Sequence, residues 1–294
     1  GWHPAPHAAA MRPEPASYRI ARMSRDDLAR TLDWAAAEGW NPGRHDLDAF
    51  HAADPGGYFM GWRGTQPVAA ISAVRYGDGF GFVGLYIVVP ECRGQGLGWA
   101  LWQHAMASLG GRVAGLDGVV EQQANYRKSG FVLAHRNVRH AGRARPLVHP
   151  IACVDLRTLD FDRVRAFDAL HAPAPRTAFL RAWLAQPDSH SLGIVEDGEL
   201  VAGGTIRACR EGHKIGPLHA DSEAAADALF RALCARVPAG DAVYLDLPEP
   251  NAAARALAAR HELQPVFETA RMYVGGMLAL PLDRIYGITT FELG

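Results

Sequence analysis

The stretch Arg93-Gly94-Gln95-Gly96-Leu97-Gly98 stands between an apolar run, Gly81–Val89, and a helix-like segment that starts at Trp99. A strand that turns directly into a helix presents free backbone N–H groups at the helix start, where the peptide dipoles sum to a positive end. Glycines at 94, 96 and 98 admit positive φ and let the backbone come close to a bulky anion. Diphosphate is the guest such a loop suits. A tight turn whose glycines serve packing alone is the plain alternative. Two nucleotide patterns fail here. A dinucleotide fingerprint begun at Gly94 needs glycine at 99, where Trp99 stands, and a P-loop needs a lysine inside the loop, where there is none.

The elements that must hold this loop follow from periodicity. After Tyr18, Leu28, Leu32 and Ala35 recur at helical spacing, and Ser24 with Asp27 forms a capping-box start. Asn41-Pro42-Gly43 breaks that helix, and a second short helix begins near Asp46. Strands follow, with turns at Arg63-Gly64 and Asp78-Gly79, then the loop and its helix. A strand around Val113–Leu116, a helix near Val120–Ser129 and a strand from Phe131 complete the half. The order then repeats: a helix at Arg176–Ala185, two strands across Asp197-Gly198, and a helix after Ser222, with Leu245-Asp246 answering Leu116-Asp117. We read an internal duplication joined near residues 143–150.

The bulk composition narrows the function. The chain has 294 residues, 49% hydrophobic and 21% charged, with net charge -1, so a packed protein is expected and a polyanionic partner such as nucleic acid is not. Cys92, Cys153, Cys209 and Cys234 form no C-x-x-C pair, which fits a reducing cytoplasm and offers no metal site. No apolar run reaches the ~20 residues of a membrane span. The first 17 residues read as a flexible leader, with Met11 as a candidate start.

The loop, preceded by Val88-Val89-Pro90, resembles the coenzyme A loop of the GNAT superfamily of acyl-CoA-dependent N-acyltransferases, whose pattern is Arg/Gln-x-x-Gly-x-Gly/Ala after a strand. The element order of the first half is similar too, and the wider chain looks like a two-domain GNAT type with a divergent second half. The resemblance implies an α/β (α+β) fold of tandem domains, each a mixed, mainly antiparallel sheet flanked by helices. It implies a coenzyme-binding domain at 18–145, a linker at 146–154 and a divergent domain at 155–294. The second half has no such loop: Ser222 or Asp221 caps its helix, and Glu223 would repel phosphate.

The site is carried over on matching positions. Tyr86, Ile87 and Val88 would bind the pantetheine arm through their backbone, as an added strand does. The N–H groups of Gly94, Gln95, Gly96, Leu97, Gly98 and Trp99 would meet the pyrophosphate, with Arg93 contacting it or bracing the loop. Tyr126, in Asn125–Phe131, matches the tyrosine that protonates the departing thiolate. The base is open between Asp117 and Glu121, because the strand before the loop carries no carboxylate. Trp40, Asn41, His45 and Asp46, between the first two helices, are expected to line the acceptor pocket. Asp246, Glu249 and Glu268 are further candidates for a cationic acceptor. The implied function is transfer of acetyl from acetyl-CoA to a primary amine of a small molecule in a ternary complex, without metal, nucleic acid or membrane, and compatible with an oligomer. A protein lysine or N-terminal amine is the alternative acceptor, and a non-catalytic acyl-CoA sensor the alternative class.

Overall fold

A computed structural model describes residues 17–294, so all but the last residue of the expected leader lies outside the described residues. The first half runs β1 (Tyr18–Arg22), α1 (Arg25–Ala37), α2 (Asp46–Ala53), β2 (Tyr58–Arg63), β3 (Gln66–Tyr76), β4 (Phe80–Val88), α3 (Leu97–Leu109), β5 (Val113–Val119), α4 (Gln123–Lys128) and β6 (Val132–Arg143). The second runs β7 (Val154–Asp155), α5 (Phe161–Ala169), α6 (Thr177–Leu184), β8 (Ser189–Glu196), β9 (Glu199–Ala208), β10 (His213–Ala220), α7 (Glu223–Cys234), β11 (Ala242–Pro248), α8 (Ala252–Arg260), β12 (Gln264–Val274) and β13 (Ile285–Gly287). Local signals act as expected. Ser24 and Asp27 close a reciprocal capping box on α1, and Ser222 accepts from the Ala225 N–H to cap α7. Helix α3 buries Leu97, Leu101, Trp102, Ala105 and Leu109, one stripe at helical spacing, against the sheet.

The two sheets are joined into one, in the order β1-β2-β3-β4-β5-β12-β6-β11-β10-β9-β8-β7, with β13 beside β10. The last long strand of each half has changed places. Strand β12 lies between β5 and β6 of the first half, and β6 pairs along β11 of the second. Each exchanged strand brings an arginine opposite the aspartate at the matching point of the other half. Arg271 faces Asp117, and Arg139 faces Asp246. Both pairs are bidentate, with N–O distances of 2.7–3.1 Å, and none of the four side chains is more than 4% exposed. A buried carboxylate needs such a partner, since desolvation alone would cost several kcal/mol. These reciprocal pairs tie the exchanged strands in register.

The strands of each half part in the middle. The parallel β4–β5 ladder ends at Val83–Leu116, where Leu85 takes φ +48° and β4 bulges, so beyond it β4 has β3 on one edge and no ladder with β5 on the other. The β10–β11 ladder ends likewise at Ile215–Leu245. There the gap is filled: β13 pairs with β10 at Leu218 and His219, and the Ile288 N–H donates to the Asp246 carbonyl on β11 at 2.8 Å. The tail then crosses to the first half, where the Tyr76 hydroxyl donates to the Leu293 carbonyl at 2.9 Å. A Cβ on Gly84 would stand 2.2 Å from the Glu292 carbonyl oxygen, so the crossing requires glycine in β4.

Candidate active site

The glycine loop opens α3 as its residue pattern requires. Gly94 and Gly96 take φ +77° and +79°, which side-chain-bearing residues rarely adopt, and Gly96 is the helix N-cap with no side-chain cap. The first carbonyl bond of the helix is Ala100 N–H to Gly96 O at 3.2 Å. The amides of Leu97, Gly98 and Trp99 therefore point from a positive helix end into a cleft of about 470 Å³ lined by Tyr86, Ile87, Val88, Gly94, Gly96 and Trp99. Arg93 lines the cleft but braces it: its Nε donates to the Val88 carbonyl at 2.9 Å, and Nη2 pairs with Glu38. Gln95 turns away, its side chain held by Arg63. Glu121 stands exposed at the same cleft.

A second cavity, of about 60 Å³, lies where β4 and β5 part. Trp40, Tyr86, Val119 and Gln122 line both spaces, so the cavity adjoins the cleft. Its walls are mostly apolar, with Trp40, Phe267 and Phe291 as the large faces. Tyr126 lines this cavity and stacks on Trp102 with ring centroids 5.5 Å apart. Burial, with a smaller push from Tyr86, holds its phenol above the usual range, and burial pushes Tyr86 up to about 12. The raised phenol stays protonated at neutral pH, which leaves its O–H available as a donor to a departing sulfur.

Several expected residues serve other ends. Asp117 lines the cavity, yet Oδ1 accepts from Asn137 (2.8 Å), Thr269 (3.3 Å) and Arg271 Nε (3.1 Å), and Oδ2 accepts from Arg271 Nη2 (2.8 Å). Its counterpart Asp246 makes the same pair with Arg139, so both carboxylates are engaged in holding exchanged strands. Asn41 does not reach the cavity: its side chain pairs with the Glu211 backbone at 2.8 and 2.9 Å. His45 meets Asp188 at 2.9 Å on the surface. Asp46 is fully buried against Arg207 at 2.9 Å, which with Lys214 holds its carboxyl below the ordinary range despite burial. These three join the halves, Asn41 through hydrogen bonds to the Glu211 backbone, His45 through the Asp188 carboxylate and Asp46 through an ion pair with Arg207. Trp40 alone of the four lines the pocket.

What the sequence reading missed is the carboxyl of Glu292. It comes from the C-terminal tail, lies 4% exposed in the cavity wall, and its Oε1 has no hydrogen-bond partner among the described residues. Nothing local in Phe291-Glu292-Leu293-Gly294 signals this. The one hint is a lone acid in an otherwise uncharged run, Tyr286–Gly294.

Comparison with known proteins agrees with this geometry. Residues 25–131 match the acetyltransferase (GNAT) family, and residues 164–287 match an acetyltransferase (GNAT) domain. The chain is 33% identical over 264 residues to a holothin acyltransferase from Pseudoalteromonas sp. (strain SANK 73390), covering 89% of this chain and 90% of that one. Its fold is similar to a crystal structure from Pyrococcus horikoshii whose acetyltransferase role is itself an assignment (TM-score 0.81, 21% identity, 98% and 100% coverage). It is also similar to a tandem GNAT protein from the clavulanic acid biosynthesis pathway (TM-score 0.63, 15% identity, 90% and 100% coverage). The chain belongs to the GNAT acyltransferase family, as a tandem of two GNAT domains.

Proposed function

We propose that the chain transfers acetyl from acetyl-CoA to a primary amine of a small molecule, within a ternary complex. The observation that carries this reading is the cavity beside Tyr126, which shares Trp40, Tyr86, Val119 and Gln122 with the cleft at the start of α3. Pyrophosphate at Leu97, Gly98 and Trp99 and the pantetheine arm along Tyr86–Val88 would bring the thioester to the mouth of that cavity. The acceptor nitrogen attacks the carbonyl carbon, the new N–C bond forms, and the C–S bond breaks. The thiolate takes the Tyr126 proton and leaves as thiol, while one proton leaves the nitrogen. The narrow cavity with aromatic walls favours a compact amine over a protein lysine.

The second half, residues 155–294, acts in this reading as a partner without a coenzyme of its own. Its strand gap is taken by β13 and its helix start by Ser222 and Glu223. The domain limits 18–145 and 155–294 are part of the proposal, as is a cytoplasmic site, which four free cysteines fit.

Thiol release from acetyl-CoA across amines, amino acids, polyamines and lysine peptides, against a blank without acceptor, tests the reading. Holothin, the compound in the relative's name, belongs in the panel. Release above the blank with a compact amine is the expected result. Coenzyme binding with no transfer to any of them would replace the enzyme by the acyl-CoA sensor.

A further inference from the structure

We propose that Glu292, delivered by the tail of the second domain, is the general base that takes the proton from the acceptor amine. The inference rests on the reading of this site as an amine acyltransferase. Two acidic residues line the cavity among the described residues, and Asp117 has both oxygens committed to donors. Glu292 is the other, and its Oε1 is buried with no partner. A buried polar atom left unpaired costs about 1–3 kcal/mol, and of the seven such side-chain atoms among the described residues Glu292 Oε1 is the one that belongs to a carboxylate and to a residue lining this cavity. Glu292 lines the cavity, so an amine bound there would stand beside a carboxyl that has no donor of its own. Glu121, the third carboxylate in question, sits exposed at the coenzyme cleft and does not line the cavity.

The tail is built to hold this group still. Tyr76 binds the Leu293 carbonyl, the Leu293 N–H donates to the Thr290 hydroxyl at 2.9 Å, and Gly84 leaves just enough room for the Glu292 backbone. The charged groups that reach Glu292 come from four other elements: Lys214 on β10, Asp46 on α2, Arg139 on β6 and Arg207 on β9. Tyr86, Tyr126 and the paired Asp117 share its cavity. Burial dominates and lifts the carboxyl above its ordinary range; Asp46 adds to this, while Lys214, Arg139 and Arg207 oppose it without cancelling it. A raised carboxyl is a stronger base once ionised, which suits it to an ammonium. The step balances. The carboxylate accepts one proton from nitrogen as the N–C bond forms, the sulfur accepts one from Tyr126, and both groups exchange with water afterwards.

The sign of the pH effect follows from the direction of the shift. The base form of Glu292 exists above its raised pKa, so wild-type kcat/KM should fall on the acid side with a limb above the ordinary glutamate value of ~4.3. The test compares wild type, Glu292→Gln and Glu292→Asp. The readouts are coenzyme A affinity, thermal midpoint and kcat/KM from pH 5 to 9, with the best amine of the panel.

The expected result for Glu292→Gln is a loss of about 10²–10⁴ in kcat/KM at neutral pH, with that acid limb gone. Coenzyme affinity and midpoint should be kept, because charging this buried carboxyl costs the native state and neutralising it does not. Glu292→Asp should recover part of the rate. A Gln variant within threefold of wild type and with the same acid limb would overturn the proposal. So would one that loses the fold or coenzyme affinity, since the carboxyl would then be structural. A wild-type protein that binds coenzyme A and acylates no amine would bring down the acyltransferase reading itself, before any variant is made.

Discussion

Replacing Asp117 by Leu separates an anchor from a base, because the molecule contains its own control. Asp117→Leu leaves the Arg271 guanidinium buried and unpaired, and Asp246→Leu does the same to Arg139. Breaking a buried pair by removing one partner costs about 3–5 kcal/mol. With an unfolding entropy of about 2.1 cal/mol/K per residue, this chain gains about 0.6 kcal/mol per kelvin, so each variant should melt about 5–8 °C lower. The double variant Asp117→Leu/Arg271→Met removes both charges. It should regain the larger part of that loss, less about 1–3 kcal/mol for the Asn137 amide that loses its acceptor. Its kcat should stay within about tenfold of wild type, since losing a general base costs about 10²–10⁴. Scanning fluorimetry and steady-state kinetics on the four proteins suffice. A folded double variant with intact coenzyme affinity and a kcat reduced more than a hundredfold would refute the reasoning and make Asp117 the base.

Two further outcomes follow from the cleft. Tyr126→Phe should lower kcat by about 10²–10⁴ and leave coenzyme A affinity unchanged, read by calorimetry beside kinetics; an active Phe variant would remove the tyrosine as acid. Gly98→Val should weaken coenzyme A binding with little effect on the acceptor, because even a Cβ there would stand 2.9 Å from the Tyr86 hydroxyl and from Val88 Cγ2 and push the start of α3 off β4. Unchanged affinity in a folded Val variant would mean that the helix start does not hold the pyrophosphate.

The parts legible in the sequence are those whose causes are local. Ser24 and Asp27 meet within one turn, and the turns at Gly64 and Gly198 lie between strands only a few residues apart. Gly94 and Gly96 betray their loop because their backbone angles exclude most side chains. The repeat was readable as well, since Leu116-Asp117 and Leu245-Asp246 hold the same place in two copies of one order. From these come the loop and the repeat of element order, while Tyr126 is assigned from the resemblance of Asn125–Phe131 to a family segment.

Tertiary structure decided the partners. A period of two or 3.6 residues tells which face of an element is buried but not what covers it. Asp117 therefore looked like a free acid on a strand, until Arg271, 154 residues further on, arrived on an exchanged strand. Asn41, His45 and Asp46 belong to a plausible pocket loop by position, yet their bonds run to residues 143–170 positions away in the second half. Glu292 is the clearest case. Its placement depends on β13 filling one strand gap so that the tail can cross to the other, and no local pattern encodes a crossing between domains.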